Sequence, residues 1–342
     1  MSDVIAVGLM LGVLAYAVFG GADFGAGFWD LTAGGARAGR DRRALIDHSL
    51  GPVWEANHTW LIYCLVVLWG GFPRPFSAIT TTLYLPMGLA VLGIVLRGSG
   101  FAFRKVLIRT ELQRLNGAVF AASSVITPFF FGCIAGGIAS GRVPADGHGD
   151  PMTSWLNPSS VVSGALAVAI CAYLAAVFLT AEARQSGDAA LERWFRTRAW
   201  VTAWITGGLA VVGMFVMYRD ADRLFDRLLG PALPVAVVSV MAGGAALLLL
   251  RRAAPRLLRV LAAIAVAGVI AAWGVAQYPY LLGTHTTIAE GSAPHSSLVT
   301  LGVILIIAIV VITPSFAVLY WLQQHSQLQG DDHTDDASHV VH

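Results

Sequence analysis

The 342-residue chain is 56% hydrophobic and only 12% charged, with a mean hydropathy of +0.70, whereas an average soluble domain carries roughly 25% charged residues. That composition excludes an ordinary globular protein and predicts an all-α polytopic membrane protein, while a net charge of +2 points to no partner. Cys64, Cys133 and Cys171 lie in apolar runs, and their odd number without C-x-x-C spacing argues against a disulfide framework or a thiolate metal site.

A helix crosses a bilayer with about 20 apolar residues, and nine stretches qualify: 4–29, 53–72, 77–98, 117–139, 160–181, 199–217, 231–250, 257–279 and 297–322. The first lacks a basic leader and a small-residue cleavage site, so it reads as a retained span and not a removed signal peptide. Gly8 with Gly12, and Gly21 with Gly25, form two G-x-x-x-G patterns that let a neighbouring helix approach closely. The loops after spans one, three, five and seven hold 17 Lys and Arg residues against 5 in the alternate loops. Basic residues stay on the cytoplasmic side, which predicts an external N-terminus and a cytoplasmic C-terminus.

I-T-P-F-F at 126–130 recurs as I-T-P-S-F at 312–316, either a trace of duplication or a shared way of placing a kink. The expected organisation is one transmembrane domain over 1–322: a four-helix half at 1–140, a second at 141–280, and a ninth helix at 297–322. Residues 323–342 are too polar to fold alone and read as a disordered cytoplasmic tail.

Ionisable residues inside this apolar chain carry the functional signal. Asp23 lies about 29 Å along the first span, near the inner edge of a core about 30 Å thick, and Asp30 is two turns further on. Glu55 and His58 begin the second span at that level, three residues apart and on one face; Trp54, Asn57 and Trp60 surround them. Arg97 closes the third span at the same depth, with Arg104 beyond it. Gly20, Ala26 and Gly27 share the face of Asp23, where a partner helix can come close.

Charged groups facing lipid are costly, so these side chains should pair with one another or line a watery path. The plainer reading is a buried Asp23–Arg97 ion pair that only orients helices, in which case Asp23→Asn would strand Arg97 at a cost of about 3 to 5 kcal/mol. The functional reading is a proton path from the inner face through Glu55, His58, Asp23 and Asp30, using a carboxylate beside the one side chain that titrates near neutrality.

Other chemistries fit less well. Glu55-x-x-His58 matches half of a di-iron motif, but no second copy exists. Only His58 among nine histidines lies near membrane depth, so redox haems should be liganded chiefly by another subunit. No Walker A, Rossmann, G-x-S-x-G or nucleic-acid motif occurs. No metal site and no complete catalytic centre is expected in this chain alone.

G-G-A-D-F-G-A-G at 20–27, G-P-V-W-E-A-N-H-T-W-L at 51–61 and R-G-S-G-F-A-F-R-K at 97–105, with the nine-span layout, resemble subunit II of the cytochrome bd-type quinol oxidases over nearly the whole chain. The resemblance implies a respiratory complex of the bacterial cell membrane that oxidises quinol and reduces O2 to water. Subunit I would ligate two b-type haems and one d-type haem. This chain would stabilise subunit I and offer a cytoplasmic proton path, among membrane lipid and quinone, with room for a small single-span accessory subunit.

The family's acidic position in the first span corresponds to Asp23, its W-[DE]-x-N motif to Trp54, Glu55 and Asn57, and its basic position closing the third span to Arg97. Two departures stand out: Gly20 replaces a second acidic residue, and Ala102 replaces an aspartate found in several members. The resemblance thus leaves more of the route to Glu55 and His58. A proton-coupled secondary transporter and a purely structural scaffold subunit are the competing readings. Transporters usually place their site near the midplane at interrupted helices of both repeats, and spans five to eight carry no comparable internal charges.

Overall fold

A computed structural model describes residues 1–35, 37–50, 54–104 and 110–324, with only the backbone described at some of them, among which are Trp54, Glu55 and Arg104. The described residues are mostly helical, at 82%. Among the described residues, seven helical segments are long and apolar enough to cross a membrane, and two further pairs reach that length only across bends of 117° and 73°.

The first segment joins α1 (Ser2–Ala15), a π-helical turn (Tyr16–Gly20) and α2 (Gly21–Leu31) without a break. Its two glycine pairs face different neighbours. A Cβ at Gly12 would press on Tyr63 and Cys64 of α4 (Trp54–Gly71), whereas one at Gly25 would run into the main-chain carbonyl of Cys171. Tyr63 Oη donates to the Gly8 carbonyl at 3.0 Å across the first of these contacts.

The basic connection after the first span is not merely a loop, because it contains α3 (Arg40–Leu50). The expected span at 77–98 is also corrected. Helix α4 stops at Gly71, turns through 117° and continues as the ten-residue α5 (Pro73–Thr82); α6 (Tyr84–Arg104) starts only after Leu83. Prolines explain both breaks. Pro73 and Pro75 fix a helix start, and Pro86, lacking an N–H, cannot continue a hydrogen-bond ladder from α5.

Helices α7 (Thr110–Ala139) and α8 (Pro158–Gln185) follow, the latter capped by Asn157, whose Oδ1 accepts from the Ser160 amide at 2.9 Å. Every residue from 169 to 177 is buried, as expected of an apolar helix enclosed on all sides. Helix α8 touches α2, α7, α9 (Ala189–Asp220) and α12 (Pro255–Gln277) and forms the centre of the bundle. Between α9 and α12 lie the short α10 (Asp222–Leu229) and α11 (Leu233–Leu249). Strands β1 (Tyr280–Leu282) and β2 (Thr286–Thr287) form an antiparallel hairpin that leads into α13 (Ile288–Gly291) and α14 (His295–Gln324).

Arginines stitch the basic end of the bundle. Arg184, at the end of α8, donates to the carbonyls of Leu250 at 2.5 Å and Ala253 at 2.6 Å, and Arg259 of α12 pairs with Glu182 at 2.5 Å. At the opposite end, Arg142 grips Asp220 at 2.8 and 2.5 Å.

Candidate functional site

Four helices bring polar side chains to one point inside the bundle. Asp23 follows the π turn by three residues and is 4% exposed. Asn57, one turn into α4, donates Nδ2 to Asp23 Oδ2 at 2.5 Å and reaches the Phe19 carbonyl at 3.4 Å. That carbonyl belongs to the π turn, whose widened backbone leaves groups outside the regular ladder.

Arg97 enters from α6 and is 2% exposed. Its Nη2 donates to the main-chain carbonyl of Asp23 at 2.8 Å, and its Nη1 donates to Ser124 Oγ of α7. Ser124 Oγ in turn donates to the Phe120 carbonyl at 2.6 Å. The guanidinium carbon lies 4.9 Å from the Phe24 ring centroid and 4.6 Å from that of Phe120, a favourable place for a cation. Gly27 leaves the passage open, since a Cβ there would stand 2.8 Å from Arg97 Nη1. Arg97 therefore holds α2 by its backbone, and the Asp23 carboxylate takes its hydrogen bond from Asn57.

His58 is half-buried, with its ring 6.2 Å from that of Tyr16 and 6.3 Å from that of Phe24, both edge-on. Tyr16 also fills the space beside Gly20, where an added Cβ would meet its ring at 2.9 Å. Trp60 is half-buried and lines an apolar cavity of about 240 Å³ with Gly8, Gly12, Tyr63 and Ile309.

Asp30 is 5% exposed and forms an ion pair with Arg43 of α3 at 2.9 Å. The side chains of Trp54, Glu55 and Arg104 lie outside the described residues, although the backbone places Glu55 in the first turn of α4, two residues before Asn57. Among the described residues, no group of three or more His, Cys, Asp and Glu side chains is arranged to hold a metal ion.

Sequence reasoning missed Ser124, Phe24 and Phe120 as the surroundings of Arg97. The available signal was the Ser123–Ser124 pair inside an apolar span.

The family model described as cytochrome bd terminal oxidase subunit II matches residues 1–323. The chain belongs to that family. Curated relatives agree. The chain is 28% identical over 222 residues to cytochrome bd-I ubiquinol oxidase subunit 2 of Escherichia coli (strain K12), covering 61% of this chain and 56% of that protein. It is 25% identical over 143 residues to cytochrome bd ubiquinol oxidase subunit 2 of Bacillus subtilis (strain 168), covering 41% and 42%. The matches thus span about half the length of these curated relatives. A chain in the structure of bd oxidase from Geobacillus thermodenitrificans superposes with a TM-score of 0.78 at 25% identity, over 94% of this chain and 98% of that one.

Membership in a cytochrome bd family raises the question of whether this subunit can hold a haem. An axial histidine needs an open slot beside the imidazole for the macrocycle. At His58 the rings of Tyr16 and Phe24 pack T-shaped at 6.2 and 6.3 Å between centroids, the surroundings of a histidine set among other side chains.

Proposed function

We propose that this chain is subunit II of a quinol:oxygen oxidoreductase, embedded in a bacterial cell membrane beside a subunit I that ligates two b-type haems and one d-type haem. The complex oxidises membrane quinol and reduces O2 to water, and the haems supply its electron transfer and oxygen binding. The work of this chain is to support subunit I and to admit protons from the cytoplasm. The topology that goes with this reading has nine crossings, counting each bent pair as one, in two four-helix halves plus a ninth. Its N-terminus is outside and its C-terminus inside, and 323–342 is a polar tail. A small accessory subunit is compatible with it.

The observation that carries the proton-entry reading is the buried Asp23–Asn57 bond, 2.5 Å long, at the end of the bundle where the arginines gather. Glu55 begins the same helix as Asn57 at that end. A proton arriving at Glu55 would pass to the level of His58 and Asp23, and the burial of Asp23 restricts it to that route. Asp30, paired with Arg43, acts at the rim. Gly20 and Ala102 remove two acidic positions, and Tyr16 fills the volume beside the first.

Glu55→Gln in the purified complex tests this reading. Oxygen consumption should fall while the reduced-minus-oxidised haem spectrum keeps its amplitude; unchanged turnover, or no haem in the complex at all, would contradict it. A purely structural role for the cluster is the second reading, favoured by Arg97 bonding the main chain of Asp23, and loss of haem together with assembly in Glu55→Gln would support it.

A further inference from the structure

At the basic end, six described arginines are half-buried: Arg42, Arg43, Arg184, Arg196, Arg198 and Arg259. Four have carboxylate partners. Arg43 pairs with Asp30 at 2.9 Å, Arg184 and Arg196 share Glu192 at 2.8 and 3.1 Å, and Arg259 pairs with Glu182 at 2.5 Å. Arg42 and Arg198 are held differently. Both stack on the Trp194 ring, with guanidinium carbons 4.5 and 3.1 Å from its centroid, and among the described residues neither has a carboxylate within 4.0 Å.

Each donates a hydrogen bond to the main chain, Arg42 Nη1 to the Ala33 carbonyl at 2.7 Å and Arg198 Nη1 to the Trp194 carbonyl at 3.0 Å. A guanidinium has five donors, so most of their capacity is left over. Sharing one ring puts the two cations within a Debye length of each other, about 8 Å at physiological salt, where like charges repel unless an anion lies between or beside them.

The pair is also rigidly built. Arg42 comes from α3 and Arg198 from α9, while Trp29 of α2 stands 5.9 Å from the Arg198 guanidinium carbon and is itself fixed by a 2.9 Å bond from Nε1 to the Ala172 carbonyl. Beyond Arg198, the same face of α9 carries Val201 and Ile205, which are 52% and 49% exposed. A phosphate diester suits two guanidinium forks, and an exposed apolar stripe leading away from them suits an acyl chain.

We propose that Arg42 and Arg198, braced on Trp194, bind the phosphate of an anionic phospholipid headgroup at the basic end of the bundle, with its acyl chain along Val201 and Ile205. Basic pockets between helix ends are a recurring way to hold such lipids.

The test uses the purified oxidase complex, exchanged into phosphatidylcholine and titrated with phosphatidylglycerol, with retained lipids counted by native mass spectrometry. Removing one guanidinium should weaken retention of the tight phosphatidylglycerol about fivefold and removing both about thirtyfold, in Arg42→Gln, Arg198→Gln and the double variant. Arg251→Gln/Arg252→Gln, which alters exposed arginines at the same end, should retain it as the wild type does, and inorganic phosphate should not displace it.

Equal retention in the double variant, equal loss in the exposed pair, or displacement by phosphate overturns the proposal. A second measurement leaves the arginines in place: brominated phosphatidylglycerol should quench the part of the tryptophan emission that Trp194→Phe removes. Absence of that quenching also overturns it.

Discussion

Replacing Asp23 by Asn removes a charge and keeps the shape. The amide can turn its oxygen toward Asn57 Nδ2, so the bond that is 2.5 Å long in the native protein survives as a neutral one. Charge-assisted bonds are roughly twice as strong as neutral ones, and a neutral one contributes about 1 kcal/mol net, so the loss is about 1 to 2 kcal/mol. Arg97 keeps its anchors, because it bonds the Asp23 carbonyl and Ser124, not the carboxylate. The loss of about 3 to 5 kcal/mol expected for an uncompensated buried charge therefore belongs to a different variant, Arg97→Met, which strips a donor from both oxygens and leaves the Asp23 carboxylate without its nearby positive charge. Haem content by reduced-minus-oxidised spectroscopy and turnover at an oxygen electrode, measured on the same purified complex, separate the two. Asp23→Asn should assemble with full haem and turn over about tenfold more slowly or worse, given what positioned proton transfer contributes; Arg97→Met should fail to assemble. Full turnover in Asp23→Asn would refute the proton role, and loss of assembly equal to that of Arg97→Met would refute the backbone-anchoring argument.

Gly25→Ala places a methyl group on the Cys171 carbonyl and should lower the yield of intact complex, with a penalty of about 1 to 3 kcal/mol or more. Gly88→Ala, in a helix with open space around it, should be neutral or stabilising by up to about 1 kcal/mol; thermal denaturation of the complex compares them. Glu290 caps α13 by accepting from the Thr287 amide at 2.9 Å, which holds its carboxyl below the usual carboxylate range. Its contribution is complete above the unfolded value of about 4.3 and is lost as pH falls through the lower folded value. Hydrogen exchange at the Thr287 amide, normalised to its intrinsic rate, should accelerate only in that acidic window, and Glu290→Gln should show little further change there.

Depth follows from counting residues along a helix, and hydropathy with the positions of charged residues sets Asp23, Glu55, His58 and Arg97 at one expected level. Pairing was harder to read. Arg97 reaches a carbonyl, which every residue possesses, and nothing in the residue pattern distinguishes that from a bond to a carboxylate. Asp30 finds Arg43 only because residues 40–50 coil into α3, an amphipathic surface helix that a search for long apolar runs passes over. The break at Leu83 escaped the same search for a related reason. Apolar length says how far a chain can reach, whereas the direction it takes after Gly71 depends on Phe72 and the prolines that follow.

The π turn at Tyr16–Gly20 makes the first crossing sensitive to how that one turn is wound. Were the same five residues to wind as regular α-helix, the hydropathy would be unchanged, but a π turn bonds i to i+5 and so absorbs about one residue more than an α-helix, and each helical residue turns the chain by about 100°. Everything beyond the turn would rotate by that amount, carrying Asp23 away from Asn57 and turning Gly25 off the surface of α8. The π winding therefore sets the face on which Asp23 and Gly25 emerge, and that local conformation is as much a part of the site as the residues that form it.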